Sequence, residues 1–392
     1  MKIAILTSGI LPVPAVQGGA VENLVDFYLD YNDRHQLHDI TVYSVWHPDV
    51  QKHPAMKSSV NHYRYIKVNG WWARLQKKIY LKTHGGEEYY HYVIEYFFHQ
   101  ALKHIRRQHY DFIILENRPG YALKLKDSTT AKMVVHLHND LLNSKTRQAS
   151  DIYNASARII TISDFIKSKV QTIKDDDHKT ETVLNGINLT AFTQSSAIDR
   201  QALGFSDDDF VVVFSGRVNK EKGVLELVEA MNLLQAHTHI KLLVIGSSFY
   251  GNAQGEDDFT RTLKEKAAPL QDRIVFTGFI PYSRMPSYLR MADIAALPST
   301  WEEPLGLTCI ESMACGLPVI TTLQGGIPET VTTDCGILLT ADEQLANKLA
   351  AAILDLYHHP EKRKQMAEAA LQRSQLFDKD AFARQFFEAL EH

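Results

Sequence analysis

The sequence predicts an α/β protein of two parallel-sheet domains. Three observations carry that prediction. Short apolar runs alternate with amphipathic helical patterns from the first residues onward, and the alternation restarts at Phe210. A polar passage from Thr190 to Asp209, rich in Ser, Thr, Gln and Asp, separates the two series. A chain of 392 residues is also long enough for two hydrophobic cores. Repeated strand–helix units build doubly wound, Rossmann-like sheets, whose ligands gather outside the carboxyl ends of the strands.

Composition narrows the function. Lys and Arg total 42 against 46 Asp and Glu, a formal net charge of −4, so no global basic excess points to nucleic acid. The three cysteines (Cys309, Cys315 and Cys335) lack CxxC spacing, which argues against a disulfide framework or a zinc site and fits a reducing compartment. The opening MKIAILTSGI is too short for a signal peptide, and charged residues interrupt every apolar run. A cytoplasmic protein is expected, with peripheral contact at the inner face of the membrane left open.

In the first half, Lys2 to Ser8 reads as a central strand. A loop with Gly18-Gly19 follows, and then Val21, Leu24, Val25 and Tyr28 mark an amphipathic helix. The glycine pair is either an anion-binding turn or a plain connection. Asp39 to Val45 reads as the next strand. From Asn61 to Lys82 aromatics interleave with Arg and Lys. That stretch suits an anionic membrane surface or a lipid-phosphate acceptor, or else a helix packing Trp and Ile inward with a solvated basic face. Glu87 to Arg107 reads as a long aromatic helix, and Phe112 to Leu115 and Met133 to Leu137 as strands. His136 and His138 share one face of the latter, with His138 at its C-terminal end. Such a histidine is structural or meets a ligand, and no third metal ligand is evident nearby in the sequence. The acidic runs Asp175 to Asp177 and Asp207 to Asp209 read as solvated turns rather than metal motifs.

The second half concentrates the chemistry. Arg217 and Lys222 follow the strand Phe210 to Phe214 in a loop with Gly216 and Gly223, where two cations can clamp a pyrophosphate. After a strand at Ile294 to Leu297, Gly306 opens a helix with Leu307, Ile310 and Ala314 on one face. Glu303 precedes that helix and Glu311 lies inside it, 311 − 303 = 8 residues apart, roughly 12 Å along a fully helical path. This separation is wrong for a shared proton and suits a ligand with two polar parts. The amides at Gly306, Leu307 and Thr308 favour an anion between the two carboxylates. Gly325-Gly326 adds a turn where backbone can approach a ligand, and Thr340 to Glu343 reads as a capping box before a helix carrying Leu345, Leu349 and Ile353.

The segments GRVNKEKG (216–223), EPLGLTCIE (303–311), MACGLPVI (313–320), GGIPE (325–329), VLNGIN (183–188) and the early Gly18-Gly19 together resemble the retaining glycosyltransferases of family 4. The resemblance is strong over residues 210–340 and looser before them. It implies a GT-B fold, two facing Rossmann-like domains with a cleft between them. Residues 1–190, joined by a C-terminal helix at 376–392, would bind the acceptor, and residues 191–375 would bind the nucleotide-sugar donor. Arg217 and Lys222 would hold the donor diphosphate, with backbone at Gly18, Gly19, Gly216, Gly306, Leu307 and Thr308. Glu311 would bind ribose, Glu303 would lie beside the donor sugar, and His138 would contact that sugar near the reacting carbon. The family's His-Asp reads His138-Asn139 here and its NGID turn ends in Asn188, which leaves the roles of Asn139 and Asn188 open.

The resemblance further implies a hexosyl transfer from a UDP-sugar to a saccharide or lipid-linked acceptor in surface polysaccharide or glycolipid synthesis. No metal and no cofactor beyond the nucleotide-sugar co-substrate are expected. The leaving phosphate itself would assist deprotonation of the acceptor, so the carboxylate spacing rules of glycosidases do not apply to Glu303 and Glu311. Rival readings are a sugar-nucleotide-dependent synthase of the same fold and a non-catalytic, coat-type binding protein that keeps it. A nicotinamide dehydrogenase is disfavoured, since neither half has GxGxxG after its first strand.

Overall fold

A computed structural model describes residues 1–68, 70, 92–175, 177–247, 258–270 and 272–391. The chain divides into two compact units, Met1–Gly186 with Lys379–His392, and Ile187–Asp378.

In the first unit seven runs become strands: β1 (Lys2–Leu6), β2 (Asp39–Val45), β3 (Asn61–Ile66), β4 (Phe112–Glu116), β5 (Lys132–Leu137), β6 (Arg158–Thr161) and β7 (Thr180–Thr182). Their order is β3-β2-β1-β4-β5-β6-β7, with every pairing parallel. Ile3, Ala4, Ile5 and Leu6 are all fully buried, as expected of a central strand covered on both faces. The helix Ala20–His35 covers one face with Leu24, Val25 and Tyr28. The C-terminal helix Lys379–Glu391 joins the same core through Phe382, Phe386 and Phe387, and the rings of Tyr28 and Phe386 stack at 4.4 Å. Burying each such phenyl ring stabilises the unit by about 1.5–3 kcal/mol.

The aromatic-basic stretch differs from its helical reading. Asn61–Ile66 is an edge strand paired in parallel with β2 over six residues. Its side chains alternate, with His62 and Arg64 exposed and Tyr63 and Tyr65 half-buried, and that period of two is the reason for a strand. Trp71, Trp72, Arg74, Lys77 and Lys78 lie outside the described residues, as do the first residues of the run from Glu87. The helix that follows spans Tyr92–Ile105.

The second unit repeats the design with β8 (Phe210–Ser215), β9 (Ile240–Ile245), β10 (Ile274–Gly278), β11 (Ile294–Leu297), β12 (Val319–Thr322) and β13 (Gly336–Leu339). The order is β10-β9-β8-β11-β12-β13, again all parallel. In both sheets the winding reverses beside the first strand, between β1 and β4 and between β8 and β11. Crevices for ligands open at such switch points.

Two local expectations change. The polar passage at 190–209 is not a bare linker, for it contains the helix Leu189–Gln194 and belongs to the second unit. The capping box at 340–343 does not start its helix, which begins at Leu345 without a side-chain cap. Asp342 instead accepts the Gln344 amide and pairs with Lys348, holding the chain in a turn. Among the described residues no helix is long and apolar enough to cross a membrane.

Candidate functional site

In the second unit, a small pocket lies at the β8–β11 switch point. Ser215, Lys222, Ser299, Glu303, Gly306 and Thr308 line it. Ser215 ends β8, Lys222 comes from the loop after it, and Ser299 and Glu303 follow β11. Lys222 Nζ pairs with Glu303 Oε1, and Ser299 Oγ donates to the same oxygen at 2.8 Å. The lysine also lies over the Trp301 ring at 5.8 Å. The Ser215 hydroxyl is buried without a hydrogen-bond partner among the described residues, although sequence reasoning gave it no role. Cys309 lines the pocket as well, but burial pushes its thiol up to about 12, so it is a neutral packing group.

The helix Leu307–Ala314 begins beside this pocket at Gly306, whose φ of 90° needs a glycine, and no side chain caps it. Gly325-Gly326 packs against the backbone of Glu303. A Cβ on Gly325 would lie 2.1 Å from the Glu303 carbonyl oxygen, and the Gly326 amide donates to that oxygen at 2.7 Å. The glycine pair therefore presses on the Glu303 backbone and fixes the loop that presents the carboxylate.

Not every expected residue shares the pocket. Arg217 is exposed and Glu311 is buried on the helix, and neither lines it. Tyr282 donates to Glu311 Oε1 at 2.9 Å. Burial raises the Glu311 carboxyl to about 7, an effect the Tyr282 hydrogen bond only partly opposes.

In the first unit, Glu116 ends β4 at its switch point, and His136 and His138 come from β5 and the residue just beyond it. All three are buried. His136 Nδ1 is 3.0 Å and His138 Nε2 2.8 Å from Glu116 Oε2, while the Tyr28 hydroxyl donates to Oε1 at 2.8 Å. Burial alone would push the Glu116 carboxyl up, but the His136 imidazole and hydrogen bonds from both histidines hold it well below the usual carboxylate range. Burial and the neighbouring His136 lower His138 to about 4, with Glu116 opposing.

Glu116 is thus the third group that the sequence did not reveal beside the histidine pair. Three such ligand atoms lie close enough together to hold a metal ion. However, the remaining nitrogens, His136 Nε2 and His138 Nδ1, have no partner among the described residues, whereas metal-bound histidines ordinarily donate through their second nitrogen. The cluster has the character of a hydrogen-bonded relay of polar groups.

At the glycine turn Gly18 has open space around it, whereas Gly19 is closely covered. The Glu22 carboxylate folds back over it, so that a Cβ on Gly19 would meet Glu22 Oε2 at 2.2 Å. Ser8 Oγ donates to Glu22 at 3.2 Å, and burial raises this carboxyl above its usual range. An acid three residues after the helix cap was the available signal. The two asparagines of open role are turn-formers: Asn139 Oδ1 accepts from the Leu141 amide at 3.2 Å, and Asn188 caps Leu189–Gln194 through the Ala191 amide. A concavity of about 480 Å³ in this unit is lined by Lys2, Asp39, Arg64 and His104, among others. It includes the first residues of β1 and β2, the opposite end of the sheet from His138.

Residues 195–373 match the family model described as glycosyl transferases group 1. YtcC of Bacillus subtilis (strain 168), provisionally named a glycosyltransferase, is 27% identical over a 405-residue alignment covering 100% of this chain and 88% of that protein. Spore coat protein SA of the same organism is 26% identical over 382 residues, 94% of this chain and 93% of its own. Among solved structures, Anabaena Alr3699/HepE in complex with UDP has a TM-score of 0.75 at 22% identity, covering 100% of both chains. Its complex with UDP-glucose has a TM-score of 0.73, also at 22% identity, covering 100% of this chain and 99% of that one.

Proposed function

We propose that this chain, whose residues 195–373 match the glycosyl transferases of group 1, moves a sugar from a UDP-sugar to a hydroxyl of a saccharide or lipid-linked acceptor. The fold is GT-B, with two Rossmann-like parallel-sheet domains. One observation carries the reading: the β8–β11 pocket joins a lysine, an acidic group and an uncapped helix start at a switch point. That combination suits a diphosphate next to a hydroxylated ring. The UDP and UDP-glucose complexes of the Anabaena protein support uracil as the base.

The chemistry follows from the charges. As the bond from the anomeric carbon to the diphosphate oxygen breaks, negative charge grows on the leaving UDP, and Lys222 and Arg217 neutralise it together with the amides at Leu307 and Thr308. Lys222 must then give up part of its pairing with Glu303. The released carboxylate is free to accept sugar hydroxyls and to face the positive charge at the anomeric carbon. Glu311 accepts the ribose hydroxyls, and His138 meets the transferred sugar. The acceptor oxygen bonds to the carbon on the face the phosphate leaves, and its proton passes to a phosphate oxygen. The configuration is retained, and no metal is needed.

A role in surface polysaccharide or glycolipid synthesis, on the cytoplasmic side of a membrane, completes the reading. The alternative of a non-catalytic coat-type protein is favoured by one finding, the full-length likeness to spore coat protein SA. A panel of nucleotide sugars separates the two readings. UDP-sugars should raise the melting temperature, and at least one should be hydrolysed slowly or transferred. Binding without turnover for every donor would favour the coat-type protein, and no binding at all would remove both.

A further inference from the structure

The buried cluster of the first unit sets the proton on His138, and this has a consequence for what His138 can recognise. Glu116 is held as an anion, so it can only accept hydrogen bonds. His138 Nε2, 2.8 Å away, must therefore carry a proton and donate it. His138 is otherwise neutral, since burial and His136 disfavour a second proton. Its Nδ1 is left with a bare lone pair, and that atom is buried with no partner among the described residues. The backbone is fixed too, for the His138 amide donates to Asn117 Oδ1 at 3.2 Å and the Asn117 amide donates to the His136 carbonyl at 2.8 Å.

His136 does not share this role. It is fully buried within β5, with its ring 4.9 Å from that of Phe386. His138 stands just past the strand end, where open α/β sheets meet their ligands.

We propose that Glu116 is a positioning residue that locks His138 as the Nε2–H tautomer, so that Nδ1 is presented to substrate as a hydrogen-bond acceptor. The group that meets Nδ1 must then be a donor. A sugar hydroxyl qualifies, and the carboxylate of an acidic sugar does not. Tyr28 and His136 occupy the rest of the Glu116 carboxylate, which leaves it no freedom to rotate away. The substrate part of this inference rests on the glycosyl transfer proposed above. The proton assignment does not.

The test reads the proton directly. In wild-type protein carrying ¹⁵N-histidine, the imidazole nitrogen resonances of His138 (assigned by their loss in His138→Asn) should show a protonated Nε2 and an unprotonated Nδ1. A proton on Nδ1, or on both nitrogens, overturns the proposal. Glu116→Gln keeps the shape but offers an amide N–H that favours the opposite tautomer. It should lower kcat about 10-fold or more with little change in donor KM. In a His138→Ala background the same substitution should add less than about 2-fold, because residues acting as one unit are not additive. Equal losses in both backgrounds would make Glu116 a general scaffold and sink the idea, as would one equivalent of zinc retained by wild-type protein and absent from Glu116→Gln. If Glu116→Gln does not fold, the wild-type spectrum still decides the tautomer. Wild-type protein that transfers nothing from any nucleotide sugar, yet shows the Nε2–H form, would remove the transferase reading and leave the proton assignment standing.

Discussion

Two carboxylates stand at the switch points of two sheets with the same winding, yet they are held in opposite ways. Glu116 is fully buried and accepts from Tyr28, His136 and His138, which sit on a helix and at the end of a neighbouring strand. Glu303 sits in a loop and is held by Lys222 and Ser299 at the rim of a pocket. The first arrangement is satisfied by the fold and orients its neighbours. In the second, a flexible ammonium acts as a stand-in partner that a charged ligand can draw away. The same winding therefore supplies one rigid acceptor and one exchangeable one.

The largest expected effect tests that contrast directly. Glu303→Gln should cut kcat by about 10²-fold if, as proposed, its charge faces the anomeric carbon. Its melting temperature should barely move, and UDP affinity should be unchanged or higher because Lys222 loses a competitor. Glu116→Ala should instead destabilise the fold by about 3–5 kcal/mol, because it strands three buried donors. Kinetics and urea unfolding on both variants check the pair. Comparable stability losses from the two would erase the distinction between them.

Next in size are the two cations. Lys222→Ala and Arg217→Ala should each weaken donor and free UDP alike, by on the order of 10- to 100-fold, and slow transfer as well. The lysine variant should be the worse of the two, since it leaves Glu303 unpaired beside the phosphates. Adding Glu303→Gln to Lys222→Ala should then recover part of the UDP affinity, measured by calorimetry. No recovery would mean that the Lys222–Glu303 contact carries no weight in the ligand's competition.

How legible these features are in sequence depends on separation along the chain. The bounds of β2, β11 and β13 follow from apolar runs with polar or turn-forming flanks, a local signal. The site segment around Gly306 is legible for the same reason, since the glycine, the helix and both glutamates are neighbours in sequence. The Lys222–Glu303 contact spans 81 residues, and Glu116 lies 20 and 22 residues from its histidines. Only the parallel pairing of β4 with β5 brings that cluster together. Strand order is a property of the whole sheet, and no residue pattern near Glu116 encodes it. The strand Asn61–Ile66 was hidden differently: basic residues on its exposed face break the apolar run that marks a strand.

A smaller effect should come from Glu311. Its loss would remove the proposed contact to ribose, a part of the donor that does not react, so Glu311→Gln should raise donor KM and leave kcat largely intact. The pH dependence has a definite sign. Burial raises the folded pKa to about 7, so donor affinity should climb as pH rises through 7, when the carboxylate needed to accept ribose hydroxyls forms. Stability runs the other way. A raised folded pKa favours the fold below the unfolded value of about 4.5, and this contribution is lost as pH rises through about 7. Between pH 5 and 8, Glu311→Gln should therefore lose less stability than wild type, by at most about 3 kcal/mol. Urea titrations at both values test it.

The smallest expected effect is none at all, and it bears on both switch points. Transfer should continue in excess chelator, with no gain from added magnesium or manganese. At the second switch point the reason is charge: on the proposed reading Lys222 and Arg217 would bring two positive charges to the diphosphate, the service a divalent cation would otherwise render. Glu303, the acidic group that could hold such an ion there, is paired with one of those cations. At the first switch point the reason is saturation. Glu116 spends its oxygens on three hydrogen bonds, and an ion would have to displace the protons of both His136 and His138 to bind. Among the described residues, the histidine nitrogens then lack the outer partners that normally support metal ligation. Activity abolished by chelator and restored by manganese would show that the diphosphate recruits its own cation, and would demote Lys222 and Arg217 from neutralising the leaving group to guiding it into place.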